Sequence, residues 1–301
     1  MSSAMDEAAA GQLAASVRAI HHDQIRHAQS ALRSNGHISD EAIHAARKDI
    51  KRARASLRLL RPVIGERCYR SQNARLRDAG RPLSRIRDAR ALLDTAMDEW
   101  HRAGNKRGPL LGDLVAVLRT ERAKVRKDAS AASAHIHKSL GKLAIAERSS
   151  AHWTLDRPAR ALPASLRRLY RRGRKSLAEA SASTSDETFH EARKQAKYLA
   201  LALETLQAVH PGGARRAIKR GKHIDDELGL DHDLALLRAK LADLSSKSTR
   251  GGDSVGRRMD KRRRRLQRKA LHAGHRLYAS KPRKFVRRVL SQGPVARDAV
   301  T

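Results

Sequence analysis

Two short segments carry the same set of basic side chains at the same spacing. SDEAIHAARK at 39–48 recurs as SDETFHEARK at 185–194, with seven of ten positions identical at an offset of 146 residues. Each segment has a histidine, then Arg-Lys three residues later, then a further lysine. Arginine offers a fork of N–H donors and lysine a mobile point charge, and both suit phosphate or carboxylate oxygens. The chemistry that this pattern predicts is anion binding by a duplicated element.

The first copy places its cations on one face of a helix. At 100° per residue, five basic residues fall within an arc of about 80°, and two more lie beside them. These residues are His44, Arg47, Lys51, Arg54 and Arg58, flanked by Lys48 and Arg52. The opposite face consists of Ala46, Ile50, Ala53, Leu57 and Leu60. This amphipathic pattern predicts a helix with one side in the core.

The second copy repeats the geometry with a shorter basic face. Its cations are His190, Arg193, Lys194 and Lys197, and its apolar face is Ala192, Ala196, Leu199, Leu203 and Leu206. Ala200 stands where the first copy has Arg54, and Glu204 where it has Arg58. The last turns of this copy therefore offer less positive charge.

Two further helices carry comparable basic faces. One has Arg168, Arg171, Arg174 and Lys175, and the other has Lys261, Arg264, Arg265 and Arg268. All four faces are nearly free of acidic residues. A face that is simply solvated interleaves acids with bases, because like charges at i,i+4 repel. We therefore expect a bound anion to compensate the repulsion.

Catalytic motifs are missing from the sequence. It has no GxxxxGK[ST] phosphate loop and no HExxH. LDHDLALL at 230–237 could be taken for the His-Asp pair of an HD-type metal phosphohydrolase, but Asp231 suits a helix N-cap better, with Asp233 in the first turn. Chance explains the close histidine pairs His21-His22 and His135-x-His137. We expect no enzymatic activity, no cofactor and no bound metal.

Composition limits the class of protein. The 301 residues are 40% hydrophobic and rich in Ala and Leu, and 65 Lys and Arg against 31 Asp and Glu leave a net charge of +34. Such an excess requires an anionic partner: nucleic acid, an anionic membrane or polyphosphate. Cys68 is the single cysteine, which favours a reducing compartment. The N-terminus has no export signal and no apolar run could span a bilayer, so we expect a soluble cytoplasmic protein.

Gly and Pro clusters divide the chain into helices and no strands. The expected spans are 12–34, 39–61, 66–80, 83–103 and 110–148, then 164–182, 186–209, 214–229, 232–246 and 254–279. The duplicated segments lie on the second helix of each set. We therefore predict an all-α chain of two similar halves, at 12–150 and 160–290.

The paired His-x-x-Arg-Lys-x-x-Lys segments resemble the CHAD family, the conserved histidine α-helical domain. RLYRRGRKSL at 168–177 and LYASKPRKF at 277–285 resemble further parts of it, so the resemblance covers most of the chain as one CHAD module. It implies two four-helix-bundle-like halves, related by a pseudo-twofold axis around a basic groove that binds inorganic polyphosphate. It also implies contacts from His44, Arg47, Lys51, Arg52 and Arg54, and from His190, Arg193 and Lys197, and association with polyphosphate granules.

Sequence-nonspecific binding to the backbone of duplex nucleic acid is the main alternative, because charge alone does not separate it from polyphosphate binding. Few aromatic residues are available for stacking on single strands: the chain has two Trp, four Tyr and two Phe. We expect Phe189 in the core and Tyr170 and Tyr198 at the edges of the basic faces.

Overall fold

The computed structural model describes residues 2–33, 39–103, 109–127, 129–155, 158–183, 185–210, 212–245 and 253–291. Every regular element in these ranges is a helix, so the all-α prediction is confirmed. The helices are α1 (Ser2–Leu32), α2 (Asp40–Ile64), α3 (Glu66–Arg102), α4 (Pro109–Lys127), α5 (Ala129–Ala151), α6 (Pro158–Ser183), α7 (Asp186–Val209), α8 (Arg215–Ser245), α9 (Asp253–Leu277) and α10 (Pro282–Leu290). None of the described helices is both long and apolar enough to cross a membrane.

The two duplicated segments begin their helices in the same way. The hydroxyl of Ser39 accepts the backbone N–H of Ala42 at 3.1 Å, and the hydroxyl of Ser185 accepts that of Thr188 at 3.3 Å. Each cap satisfies an N–H that has no partner within its helix. The Asp-Glu pair that follows each serine lies in the first turn, where negative charge is favourable at the helix N-terminus.

The core lies around α2 and α7, the helices that carry the duplicated segments. The apolar faces predicted for both are buried, each residue being at most 4% exposed. Helix α2 packs against α1, α3, α6 and α7, and α7 packs also against α8. A second apolar cluster joins the C-terminal half of α3 to α4, α8 and α9. The predicted core position of Phe189, which is 2% exposed, is confirmed.

Two predicted helix breaks are wrong. Helix α3 continues through Gly80 and Pro82, and α8 continues through 229–232. Pro82 removes one backbone hydrogen bond, but Ala79 and Leu83 on either side of it are fully buried. Their packing keeps the helix continuous where local propensity favours a break.

The span 110–148, predicted as one helix, is divided between α4 and α5. The two helices share α3 as a neighbour, but α4 also packs against α8 and α5 against α1, so one straight helix could not satisfy both. The division into halves at 12–150 and 160–290 stays a prediction. Helix α5 ends at Ala151 and α6 begins at Pro158, and α2 packs against α6 and α7 across this boundary.

Candidate functional site

The basic faces of α2 and α7 meet where these helices pack together. Lys51 of α2 lies close to Arg47 of the same helix and to Arg193 and Lys197 of α7, and we call these four residues the crossing cluster. Burial, together with repulsion from Lys197, Arg47 and Arg193, lowers the pKa of Lys51 to about 8. The positions 51 and 197 are equivalent in the two copies. The cluster therefore concentrates positive charge from both halves of the sequence.

Arg58 lies two turns after Lys51 on α2 and lines a pocket next to the crossing cluster. Its guanidinium carbon lies 3.6 Å from the ring centroid of Tyr198, which follows Lys197 in α7. Such stacking holds an arginine in place while its charge stays available. Burial lowers the pKa of Arg58, and Arg54 and Arg172 act in the same direction.

The pocket lies between α2, α6 and α7 and has a volume of about 340 Å³. Six cations and two carboxylates line it, which leaves four net positive charges. We call it the arginine pocket, and its charged residues are Arg58, Arg61, Arg168, Arg172, Lys175, Lys194, Glu179 and Glu191. Cations from three helices thus surround one concavity. A thin polyanion lying in it could bind several of them at once.

Acidic partners lie closer to the basic faces than the sequence indicated. The carboxylate of Asp225 in α8 lies 2.9 Å from Arg193 and 2.7 Å from Lys197, and that of Asp88 in α3 lies 3.3 Å from Arg47. The acids come from neighbouring helices, which a single-helix projection does not show. Acids from neighbouring helices therefore compensate part of the repulsion, although cations outnumber acids in both the cluster and the pocket.

The other predicted residues of α2 and α7 differ in their surroundings. Arg52 pairs with Asp49 at 3.3 Å, and the Nε of Arg54 donates to Asn73 of α3 at 3.1 Å. His44 and Lys48 are exposed on α2. Lys194 lines the arginine pocket and pairs with Glu191 at 2.5 Å. A role for each in ligand binding stays a prediction.

The basic residues of α6 lie on two sides of that helix. Arg168 and Lys175 line the arginine pocket, whereas Arg171 and Arg174 are exposed and do not line it. Lys261, Arg264, Arg265 and Arg268 of α9 are exposed as well and are not part of the pocket. The structure therefore brings three of the four predicted basic faces together only in part, and the basic residues of α9 do not contribute to the pocket.

His190 is exposed on α7, with its ring centroid 5.3 Å from that of His232 in α8. Burial lowers the pKa of His190, and repulsion from His232, Arg193 and Lys194 lowers it further. The imidazole is therefore less protonated at neutral pH than a free histidine. A nearby phosphate would reverse this effect, because it stabilises the charged form.

Arg61 and Arg172 line the pocket but were not among the predicted site residues. Arg61 stacks on Tyr69, with 4.5 Å between guanidinium carbon and ring centroid, and pairs with Glu66 at 2.7 Å. Arg172 has a signal in the sequence, since Arg168, Arg172 and Lys175 follow at i, i+4 and i+7 on one face. Tyr170 was placed at the edge of a basic face, and this is wrong: it is fully buried and donates its hydroxyl to the carbonyl of Ser280 at 3.0 Å.

The His-Asp motif at 230–237 lies inside α8, so the assignment of Asp231 as an N-cap is wrong. Asp231 is 3% exposed, and its carboxylate accepts Arg263 at 3.0 Å and Gln267 at 3.1 Å from α9. It joins two helices, which is a structural role. Among the described residues no group of three or more His, Cys, Asp and Glu has an arrangement that could hold a metal ion.

Residues 17–242 match the CHAD domain family. The chain belongs to the CHAD family. It is similar in structure to the CHAD domain from the plant Ricinus communis, at 19% sequence identity and a TM-score of 0.56, over 92% of this chain and 91% of that one. It is also similar to PptA from Streptomyces chartreusis, at 18% identity and a TM-score of 0.61, over 89% of this chain and 99% of that one. Both likenesses concern the CHAD fold. No curated protein matches the sequence.

Proposed function

We propose that this CHAD protein binds inorganic polyphosphate in the region formed by the crossing cluster and the arginine pocket, without turning it over. The observation that carries the proposal is the convergence of cations from α2, α6 and α7 on one concavity of about 340 Å³. Polyphosphate is a narrow chain of closely spaced charges with no bases to read. A concave site with cations on facing walls suits such a chain, because both sides can contact its oxygens.

The arginine pocket offers two kinds of cation to a polyanion, arginines held in place by tyrosine rings and flexible lysines. Arg58 and Arg61 are held by stacking on Tyr198 and Tyr69, so they are ordered before a ligand binds and lose less entropy on binding. Lys175 and Lys194 add ammonium charges on flexible side chains. Each of these arginines lies over one face of its tyrosine ring, so that face is not open for a base to stack on. This favours polyphosphate over single-stranded nucleic acid.

Titration of long-chain polyphosphate and of duplex DNA at matched salt tests the proposal. We expect polyphosphate to bind more tightly than DNA at equal phosphate concentration. If about eight phosphates are contacted, affinity falls roughly 1,000-fold between 50 and 200 mM salt, by analogy with single-stranded nucleic acid. Displacement of bound polyphosphate by duplex DNA at equal phosphate concentration would contradict the proposal.

A further inference from the structure

The exposed surface of α9 is basic over most of its length. Every exposed residue from Arg257 to Arg276 is Lys, Arg or His. We call this surface the α9 face; its central residues are Lys261, Arg264, Arg265 and Arg268. The exposed residues span about 140° of the helix circumference and about 28 Å of its length. An exposed face of this size without an acid is unusual, since like charges at i,i+4 repel.

The α9 face is separate from the arginine pocket. Helix α9 packs against α8 and α6, and it buries Met259, Leu266 and Leu277 on the side opposite to the face. Two cations on the flank of α9 pair with acids: Arg263 contacts Asp231 at 3.0 Å, and Arg262 contacts Glu99. At the edge of the face, Lys269 pairs with Glu227 at 3.3 Å. These pairs fix the helix in the fold. Among the described residues the four central cations have no carboxylate within ion-pair distance.

The shape of the face indicates the kind of polyanion that it fits. The arginine pocket is concave, and its cations face each other across a space that suits one thin chain. The α9 face is convex, and its cations point outward over an arc of about 140°. A single phosphate chain could contact only one row of these side chains. Two rows of phosphates on either side of the helix would use the whole arc.

Duplex nucleic acid presents such a pair of rows. The major groove of DNA is about 12 Å wide and admits an α-helix, with a phosphate strand on each rim. A basic face about 28 Å long corresponds to roughly eight base pairs at 3.4 Å each. We propose that the α9 face is a second polyanion-binding surface, and that its partner is the phosphate backbone of duplex nucleic acid. Contacts of this kind set position on the duplex and carry no sequence information.

This proposal does not depend on polyphosphate binding in the pocket, and one pair of variants tests it. The first variant replaces Lys261, Arg264, Arg265 and Arg268 with Gln. The control replaces four exposed arginines on α3 with Gln, namely Arg67, Arg70, Arg77 and Arg81, and so removes the same charge. Fluorescence anisotropy would measure binding of a mixed-sequence duplex of about 20 base pairs and, separately, of long-chain polyphosphate, over a range of salt.

We expect the α9 variant to lose at least about tenfold in duplex affinity and about 3 to 4 units in the slope of log affinity against log salt. Its polyphosphate affinity, and both affinities of the α3 control, would change by less than about threefold. An equal loss of duplex binding in the control would mean that only net charge matters. An equal loss of polyphosphate binding in the α9 variant would make the face a polyphosphate site. Either result would overturn the proposal, as would wild-type protein that does not bind the duplex.

Discussion

Lys51 is the residue of the crossing cluster whose charge changes nearest to neutral pH. Its pKa is lowered to about 8 by burial and by Lys197, Arg47 and Arg193, while Asp225 acts in the opposite direction. A bound polyanion favours the charged form and raises the pKa again. Binding above about pH 8 must therefore take up a proton.

From this pKa we predict that polyphosphate affinity falls as pH rises above about 8, by up to about tenfold per pH unit. Lys51→Arg would remove this loss, because a guanidinium keeps its charge throughout. Titrations between about pH 7 and 9.5 at constant ionic strength would measure it. If the arginine variant lost affinity as steeply as wild type, Lys51 would not be the titrating group.

His21 is a buried residue with a structural role. Its Nδ1 lies 2.9 Å from the carbonyl oxygen of Ala53 and 3.1 Å from the hydroxyl of Ser56. Burial lowers its pKa to about 4. His22 lies 3.1 Å from Ser150 of α5. The two histidines thus contact different helices, α2 and α5.

We predict that His21 makes the protein less stable in mild acid. His21 takes up a proton near pH 6.5 in the unfolded protein but only near pH 4 in the folded protein. Its contribution to the free energy of unfolding is therefore complete above pH 6.5 and is lost as the pH falls toward 4. Between about pH 7 and 5 the loss is about 2 kcal/mol. Urea unfolding of wild type and of His21→Gln would measure it. The variant is expected to lose less stability over this interval, and an equal loss in both would contradict the assignment.

At the scale of elements, the sequence predicted the amphipathic helices well and their packing partners poorly. The periodicity of α2 and α7 identified both their buried and their basic faces, because one helix determines its own faces. It could not show that Asp225 and Asp88 come from other helices. Nor could it show why Ala200 stands at the position equivalent to Arg54. Ala200 is 3% exposed and packs against Gly221 of α8 so closely that a Cβ added at Gly221 would lie 2.9 Å from the Cβ of Ala200. A long side chain would separate the two helices.

Leu59 departs from the amphipathic pattern of α2, and packing against a neighbouring helix again accounts for the departure. It lies outside the apolar face predicted for the helix, yet it is fully buried. Helix α2 has neighbours on several sides, including α1, α3, α6 and α7. An apolar residue away from the main stripe of a helix is thus an indication of a second packing partner. The sequence thus indicated a second packing partner for α2 but not which helix it is.

Helices α2 and α7, which carry the duplicated segments, are expected to contribute similarly to binding. Lys51→Gln and Lys197→Gln each remove one charge of the crossing cluster, and Arg193 stays beside Asp225 in both. Each is predicted to weaken binding of long-chain polyphosphate about 3- to 10-fold, as expected for the net contribution of one hydrogen bond, and binding of tripolyphosphate less. Isothermal titration calorimetry would compare them. Wild-type affinity in Lys197→Gln, with a loss in Lys51→Gln, would mean that the α7 copy is structural.

For the molecule as a whole, net charge and local arrangement make different predictions. A charge of +34 attracts any polyanion from a distance, so weak binding to many ligands is expected. The proposed site predicts in addition that a cation lining the arginine pocket contributes more to polyphosphate affinity than a cation elsewhere on the surface. Helix α6 offers a direct comparison, because Arg168 and Arg172 line the arginine pocket and Arg171 and Arg174 do not.

The measurement that tests this claim most directly is the polyphosphate affinity of two double variants of α6. Arg168→Glu with Arg172→Glu reverses two charges in the pocket, and Arg171→Glu with Arg174→Glu reverses two exposed charges on another side of the same helix. All four side chains are exposed, and thermal unfolding would check that both variants fold. We predict that the pocket variant loses at least about 100-fold in affinity, as expected when each reversed contact costs about 1.4 kcal/mol or more. The other variant would lose less than about tenfold, and equal losses in the two variants would contradict a defined site and leave only the net charge.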